Sequence, residues 1–256
     1  MKRICLIPAR MASSRFPGKP LAPLLGKPLI EHVMHRCSLC TSLDRVAVAT
    51  CDQAIVDAVT AAGGEAVMTA DTHDRCTDRV EEAVGHMDLG LDDNDLVLMV
   101  QGDEILVSPD MLQRTIDAFD RTGADVLNLL SPIFSPEDHN DINVVKAVFA
   151  PDRRILYMSR APIPSTSRGN QVQPHQQTGV IAFRYGFLKK YSSLPQTPLE
   201  QMESIDMLRV MEYGLPIYAE TTETETIGVD TEADRARAEK RLADDPYTAR
   251  YMTVPN

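Results

Sequence analysis

The feature that most constrains this chain is a loop of small and basic residues placed directly after its first apolar segment. Residues 3–8 (RICLIP) form a short apolar run that predicts a buried strand, and residues 9–19 that follow are rich in Ala, Ser, Pro and Gly. Open α/β sheets bind ligands beyond the carboxyl ends of their strands. The sequence therefore predicts an α/β fold with an anion site at the end of its first strand.

The first half of the chain alternates between two kinds of apolar pattern. Continuous apolar runs predict strands at residues 45–50, 66–68 and 95–101. Helical spacing predicts helices at residues 29–40, 53–62, 78–87 and 109–122. Strands and helices in alternation favour a parallel sheet with crossover helices.

The rhythm changes after Asp125, where strands are no longer separated by regular helices. The predicted strands of this half are residues 126–130, 144–149, 178–183 and 217–220. The predicted helices are residues 187–193, 199–213 and 231–242, and residues 165–177 are interpreted as a polar loop. We interpret residues 1–256 as one α/β domain with a Rossmann-like, mostly parallel sheet, in which residues 126–215 carry a smaller inserted subdomain.

Charge and cysteine content exclude several classes of protein. The formal net charge is −11, so we expect neither nucleic acid nor a membrane surface as a partner, and any anionic ligand needs a local basic pocket. No apolar run approaches the roughly 18 residues of a membrane span. The five cysteines are an odd number without a secretory signal, which predicts a reduced, cytoplasmic protein. The C-x-x-C string at 37–40 lacks a second pair at zinc spacing, so two partly buried helical thiols are the favoured interpretation.

The loop itself reads IPARMASSRFPGKP over residues 7–20 and is neither a Walker A loop nor a G-x-G-x-x-G string. Arg10 and Arg15 offer forked donors to phosphate oxygens, and Lys19 offers a point charge. Small residues such as Ala9 and Ser14 allow backbone amides to approach an anion. A solvated basic loop is the alternative that these residues alone leave open.

Seven strings of the chain, in order, resemble blocks of the CMP-KDO synthetases, the 3-deoxy-manno-octulosonate cytidylyltransferases. The first is the loop, which is similar to the pattern I-P-A-R-x-x-S-x-R-x-P-G-K-P-L. The others are GKPLIEHV at 26–33, VQGDE at 100–104, NVVK at 143–146, YMSRAPIP at 157–164, LEQMES at 199–204 with LRV at 208–210, and GVDT at 228–231. The resemblance covers nearly the whole chain.

This resemblance implies an enzyme that transfers CMP from CTP to 3-deoxy-manno-octulosonate or a related ulosonate, with Mg²⁺ as cofactor and release of pyrophosphate. It implies catalytic roles for Lys19, Arg10 and Asp103, and a homodimer formed through the inserted half. The residues it implies for CTP binding are Ala9, Arg10, Ser14, Arg15, Lys19, Thr77, Arg79 and Gln101.

Two aspartates are candidates for the metal. Asp103 follows an apolar strand and Asp230 lies in a turn before the last predicted helix. Mg²⁺ prefers one or two carboxylates together with substrate phosphates. Taken alone, each aspartate could simply end a strand or precede a helix, but the resemblance implies a metal role for both.

The acceptor side departs from the family pattern. Residues 73–79 read HDRCTDR where the family has a string close to H-x-S-G-T-[ED]-R, and Gln177 stands where the family usually has histidine. Cys76 replaces a glycine, and a side chain there would not easily keep a positive φ. The acceptor-binding residues predicted by this comparison are Arg75, Arg160, Gln177, Gln201 and Glu203.

An added arginine predicts a more cationic pocket that suits another ulosonate or a small phosphonate. Alternatively, Arg75 pairs on the surface with a neighbouring aspartate. Two further alternatives stay open, namely a related enzyme that uses another NTP and a catalytically inactive nucleotide-binding protein. The sequence disfavours the inactive protein because all of the candidate catalytic residues are present.

Overall fold

A nine-stranded mixed sheet forms the centre of the computed structural model, which describes residues 1–12, 16–169, 172–224, 226–229 and 231–252. The strands are β1 (Arg3–Ala9), β2 (Pro23–Leu24), β3 (Lys27–Pro28), β4 (Arg45–Thr50), β5 (Glu65–Met68), β6 (Leu96–Val100), β7 (Val126–Pro132), β8 (Lys146–Phe149), β9 (Ile155–Ser159), β10 (His175–Arg184) and β11 (Tyr218–Thr221). Strands β2 and β3 form a separate two-stranded hairpin.

The helices cover both faces of this sheet. They are α1 (Leu29–Ser38), α2 (Gln53–Ala61), α3 (Cys76–His86), α4 (Pro109–Thr122), α5 (Pro136–Asn140), α6 (Tyr185–Ser193), α7 (Pro198–Glu203), α8 (Met207–Glu212), α9 (Glu232–Ala243) and α10 (Pro246–Met252). Helices α1, α2, α4 and α9 supply one apolar core, and α3, α6 and α8 supply the other.

The first strand shows why the sheet is covered on both faces. In β1, Cys5 and Ile7 belong to one core while Ile4 and Leu6 belong to the other. Side chains alternate across a strand, so a continuous apolar run is the pattern of a strand buried on both sides. The strand ends at Ala9, which delivers the basic loop to the carboxyl edge of the sheet.

The strand order along the main sheet is β11-β7-β10-β6-β1-β4-β5. Strand β1 pairs in parallel with β4 and β6, and the pairs β4–β5 and β7–β11 are also parallel. Strand β10 runs antiparallel between β6 and β7, and it also pairs with β8, which carries β9. The predicted α/β fold with a mostly parallel sheet is therefore confirmed.

The second half differs in detail from the prediction. The helix predicted over residues 199–213 is broken into α7 and α8, because Ser204 adopts a left-handed conformation with φ 53°. Strand β10 begins at His175, inside the segment predicted as a loop. The β2–β3 hairpin, the short helix α5 and the last helix α10 have weak apolar patterns and were not predicted.

The C-x-x-C string forms no metal site in the part of the chain that the structure describes. Cys37 lies in α1 and Cys40 follows it, and both thiols are buried. Over the described ranges, no three His, Cys, Asp or Glu side chains are grouped to hold a metal ion. The same ranges contain no helix with the length and apolar character of a membrane span.

Candidate functional site

Two cavities open at the carboxyl edge of the sheet, on either side of the end of β6. The loop cavity, of about 430 Å³, lies between the loop after β1 and the start of α3. The insert cavity, of about 440 Å³, lies between β6, β10 and the segments around residues 132–145 and 204–206. Gln101, Asp103 and Ser204 line both cavities, so the two spaces meet at a shared wall.

Lys19 and Asp103 form the polar centre of this wall. Lys19 Nζ lies 2.7 Å from Asp103 Oδ2, and both side chains are partly exposed. Gly18, with φ 73°, makes the left-handed turn that begins the 3-10 helix at Lys19. Gly102 permits the close approach of the two strand ends, since a Cβ there would lie 2.9 Å from the Pro8 carbonyl oxygen. The two glycines thus bring residues 84 positions apart into contact.

The basic loop also presents Arg10 to the loop cavity. Ala9, Arg10 and Ala12 all line this cavity, and a role of the first two in CTP binding stays a prediction. Arg10 is exposed, and its Nη1 donates a long hydrogen bond, 3.4 Å, to the His73 carbonyl oxygen. The predicted phosphate ligands Ser14 and Arg15 lie outside the described residues.

The string at residues 73–79 forms the opposite wall of the loop cavity, but its members differ in role. Arg79 lines the cavity, yet it is buried and donates to Thr69 Oγ1 and to the Ala70 carbonyl oxygen. Thr77 is fully buried, donates to Asp206 Oδ2 at 3.0 Å and lines neither cavity. Arg79 therefore lies at the cavity and stabilises the segment at residues 69–70. Thr77 is buried behind the cavity wall and does not reach the cavity.

Arg75 lies in the loop cavity and not in the insert cavity. Its Nη1 donates to Ser204 Oγ at 2.8 Å, and its Nε lies 3.4 Å from Glu200 Oε1. The alternative of a surface pair with a neighbouring aspartate was wrong, because the side chain of Arg75 contacts Ser204 and Glu200. The physical reason is that Arg75 precedes α3 and its side chain points toward the end of α7. A role of Arg75 toward the acceptor stays a prediction.

Cys76 causes none of the expected backbone strain, because it is the first residue of α3 and has no positive φ. Its thiol is packed in the loop cavity wall, and burial raises its pKa to about 12. The thiol is therefore uncharged at neutral pH and leaves the electrostatics of the cavity to the arginines.

Arg160 and Gln177 are the predicted acceptor residues that line the insert cavity. Arg160 is held by backbone carbonyl oxygens, with Nε on Glu203 at 2.6 Å and Nη1 on Ile142 at 2.9 Å. Gln177 donates from Nε2 to Asn128 Oδ1 at 2.8 Å, which fixes the direction of its amide.

Glu203 and Gln201 line neither of the two cavities, in contrast to the prediction. The Glu203 carboxylate accepts from Ser159 Oγ and from the Arg160 amide, so it supports Arg160 from behind. Gln201 is exposed on α7 and donates to Gln196.

Two acids of the insert cavity, the buried Glu104 and the partly buried Asp206, were not predicted. Glu104 accepts from the Gly179 amide at 2.6 Å, and burial raises its pKa to about 7. Asp206 accepts from the Thr77 amide and hydroxyl, and burial raises its pKa. Glu104 could have been found from its place next to Asp103 in the string QGDE, whereas no motif marks Asp206.

Among the residues that the structure describes, the carboxylate at the shared wall that could bind a divalent cation is that of Asp103. Asp103 presents an oxygen there, and its side chain is 25% exposed. One carboxylate combined with phosphate oxygens is a common Mg²⁺ arrangement. The second predicted ligand, Asp230, lies outside the described residues.

Comparison with known proteins gives a consistent result at three levels. A family model described as cytidylyltransferase matches residues 4–227. An 8-amino-3,8-dideoxy-manno-octulosonate cytidylyltransferase of Shewanella frigidimarina is 40% identical over 96% of this chain and 100% of its own length. A 3-deoxy-manno-octulosonate cytidylyltransferase of Syntrophobacter fumaroxidans is 41% identical over 97% of this chain and 100% of its own length.

A solved structure is similar over almost the same range. It is a CMP:2-keto-3-deoxy-manno-octonic acid synthetase in complex with CTP, with a TM-score of 0.85 and 35% sequence identity. The match covers 95% of this chain and 99% of that one.

Proposed function

Because this chain belongs to the cytidylyltransferase family that includes the 3-deoxy-manno-octulosonate enzymes, we propose that it transfers CMP from CTP to an octulosonate acceptor. The acceptor class comes from the relatives, which act on 3-deoxy-manno-octulosonate or its 8-amino analogue. CTP would occupy the loop cavity and the sugar acid would occupy the insert cavity.

The observation that carries this proposal is the shared wall at Lys19 and Asp103. A transfer between two substrates requires their reacting atoms to meet at one point, and bound geometry supplies much of the rate enhancement. The two cavities meet where Lys19 Nζ lies 2.7 Å from Asp103 Oδ2. The α-phosphate of CTP would lie at this junction.

The chemistry asks the protein mainly for positioning and charge neutralisation. An acceptor hydroxyl oxygen attacks the α-phosphorus and forms a new P–O bond. The bond between the α-phosphorus and the oxygen that bridges to the β-phosphate breaks, and pyrophosphate leaves with that electron pair. The hydroxyl proton passes to solvent. Lys19 and Arg10 would stabilise the charge that develops on the phosphate oxygens.

Asp103 would hold Mg²⁺ together with phosphate oxygens, with Asp230 as the second proposed ligand. The cation, when bound, supplies positive charge to the triphosphate. On the other side of the wall, Arg160 and Gln177 would orient the sugar acid.

The test is pyrophosphate release by the purified protein with CTP, Mg²⁺ and a panel of acids. The panel contains 3-deoxy-manno-octulosonate, its 8-amino analogue and a small phosphonate, and each is repeated with ATP, GTP and UTP. We expect saturable turnover with CTP and an octulosonate. Absence of turnover with every acid would contradict the proposal. Turnover with ATP, GTP or UTP but not with CTP would show that the donor is not CTP.

We also propose that the inserted half, residues 126–215, forms a homodimer interface. Its surface exposes large apolar side chains, among them Phe134, Ile142 and Val172, each with about two-thirds of its surface in solvent. Light scattering after size exclusion measures the mass directly. A mass of one chain at assay concentration would contradict this interface, and Ile142→Asp should weaken the dimer if the interface is correct.

A further inference from the structure

Ser204 is held from both cavities by two arginines. On the loop-cavity side, Arg75 Nη1 donates to Ser204 Oγ at 2.8 Å. On the insert-cavity side, Arg160 Nη2 donates to the Ser204 carbonyl oxygen at 3.2 Å. Ser204 has φ 53°, a conformation that a residue other than glycine keeps only where its surroundings hold it. The position of the shared wall therefore depends on contacts from both sides.

Arg75 is attached to this corner at more than one point. Its Nη2 donates to the Glu200 carbonyl oxygen, and its Nε lies 3.4 Å from the Glu200 carboxylate, which is fully buried. In return, Asp206 accepts hydrogen bonds from the amide and hydroxyl of Thr77 at the start of α3. The start of α3 and the corner between α7 and α8 are thus locked together in both directions.

We propose that Arg75 is a positioning residue for the acceptor, which it affects through Ser204 although its own side chain lies in the CTP cavity. This inference rests on the proposed function, since it assigns the two cavities to CTP and the sugar acid. Arg75 fixes the Ser204 corner, and the corner shapes the wall that the acceptor contacts. The resembled family string has serine at this position, which lacks a cationic fork, so the lock belongs to chains with arginine here.

The hydrogen bond from Arg75 to Ser204 has a direct consequence for kinetics. Without the guanidinium, Ser204 loses the partner on one side and the α7–α8 corner can relax toward the insert cavity. Binding of the acceptor should weaken, because its wall is no longer fixed. Binding of CTP should change less, because Arg10 and Lys19 line the loop cavity from the loop after β1 and not from the α7–α8 corner.

The test compares Arg75→Gln with Arg45→Gln, a matched control at an exposed Arg–Glu pair remote from both cavities. Acceptor KM is measured at saturating CTP, and CTP KM at saturating acceptor. We expect Arg75→Gln to raise acceptor KM about tenfold, as for loss of a charged hydrogen bond, and CTP KM by less than about threefold. Arg75→Lys keeps the positive charge but loses the forked guanidinium. Its acceptor KM should lie between those of the wild type and Arg75→Gln.

A double-mutant cycle with Ser204→Ala separates this role from a direct one. Ser and Ala both carry a Cβ, so the cost of the left-handed conformation is similar for both and the change mainly removes the hydroxyl. If Arg75 acts through Ser204, the double variant should have the acceptor KM of Arg75→Gln alone. The inference would be overturned if the acceptor KM of the double variant rose by the product of the two single effects. It would also be overturned if Arg75→Gln raised only the KM for CTP.

Two further outcomes are also decisive. If Arg75→Gln does not fold, as judged by near-UV circular dichroism, Ser204→Ala alone decides: a raised acceptor KM supports the role and an unchanged one overturns it. If the wild-type protein turns over no octulosonate, the proposed function itself fails, and that result is distinct from a failure of the lock.

Discussion

Lys19 and Asp103 meet at 2.7 Å where the basic loop crosses the end of β6, and this contact marks the point where the two cavities join. An ammonium group next to a carboxylate at a partly exposed site can exchange its partner for a phosphate oxygen when a substrate enters. The same pair thus offers a cation to the triphosphate and an oxygen ligand to a metal ion.

Lys19→Met should lower kcat/KM for CTP by roughly 100-fold or more, because removal of one preorganised charge from a developing anion costs this much in other enzymes. Steady-state pyrophosphate release measures the effect. Lys189→Met is the matched control, since Lys189 pairs with Asp93 at 2.7 Å on the surface, away from both cavities. A loss of equal size in both variants would contradict the assignment.

Asp103→Asn should reduce turnover by roughly 100-fold and raise the Mg²⁺ concentration needed for half-maximal activity. The amide keeps one oxygen but loses the negative charge that binds a hard cation. A magnesium titration at saturating substrates measures both effects. Asp93→Asn on the surface serves as the control, and unchanged turnover in Asp103→Asn would remove the metal assignment.

Gly179→Ala should damage both the stability of the protein and its use of the acceptor. A Cβ at this position would lie 2.6 Å from Gln101 Cβ and 2.7 Å from Glu104 Cγ, atoms too near their backbones to move freely. We expect a loss of about 2 kcal/mol in the free energy of unfolding, as for other overpacked sites. Urea denaturation and acceptor KM measure the two effects.

Gly85→Ala provides the opposite case for comparison with Gly179→Ala. Gly85 lies in α3, and a Cβ there would meet nothing within 4 Å. This variant should gain about 0.5 to 1 kcal/mol, because alanine favours the helix and glycine does not. If the two variants were equally stable, the packing account of Gly179 would be wrong.

His32 should make the protein sensitive to acid. It is fully buried, and its Nε2 lies 2.8 Å from the Leu24 carbonyl oxygen, so Nε2 donates and Nδ1 accepts from the Tyr251 hydroxyl. Burial lowers the pKa of His32 below its usual 6.5. The unfolded chain therefore binds the proton more tightly, and stability present above pH 6.5 is lost as the pH falls through the folded pKa.

Thermal unfolding of the wild type and of His32→Gln at pH 7.5 and 5.5 checks this account. We expect the melting temperature of the wild type to fall more on acidification than that of the variant, whatever the offset between them at pH 7.5. An equal fall in both proteins would assign the acid sensitivity to other groups.

The sequence predicted the parallel part of the fold well because local pattern and tertiary burial agree there. Strands β1, β4 and β6 are continuous apolar runs buried on both faces, so their sequence already displays their environment. The break between α7 and α8 was not predicted, because Arg75 and Arg160, which bond to Ser204 at this left-handed turn, are distant from it in the sequence.

In the site, too, the sequence predicted what lies within local motifs and missed what depends on distant residues. Lys19, Arg10 and Asp103 lie within motifs and were identified from them, and the structure places all three on cavity walls. The side chain of Arg75 could not be oriented from its string, because its partners lie 125 and 129 positions further along the chain. A sequence motif does not show in which direction a side chain points.

Only Gln101, Asp103 and Ser204 belong to both cavities among the described residues. A change elsewhere in the insert cavity can alter which sugar acid fits without touching the walls that face the nucleotide. Natural variation in acceptor preference among such chains should therefore accumulate along β10 and residues 132–145, which line the insert cavity. Engineering a new acceptor should begin with the same segments and leave those three positions alone.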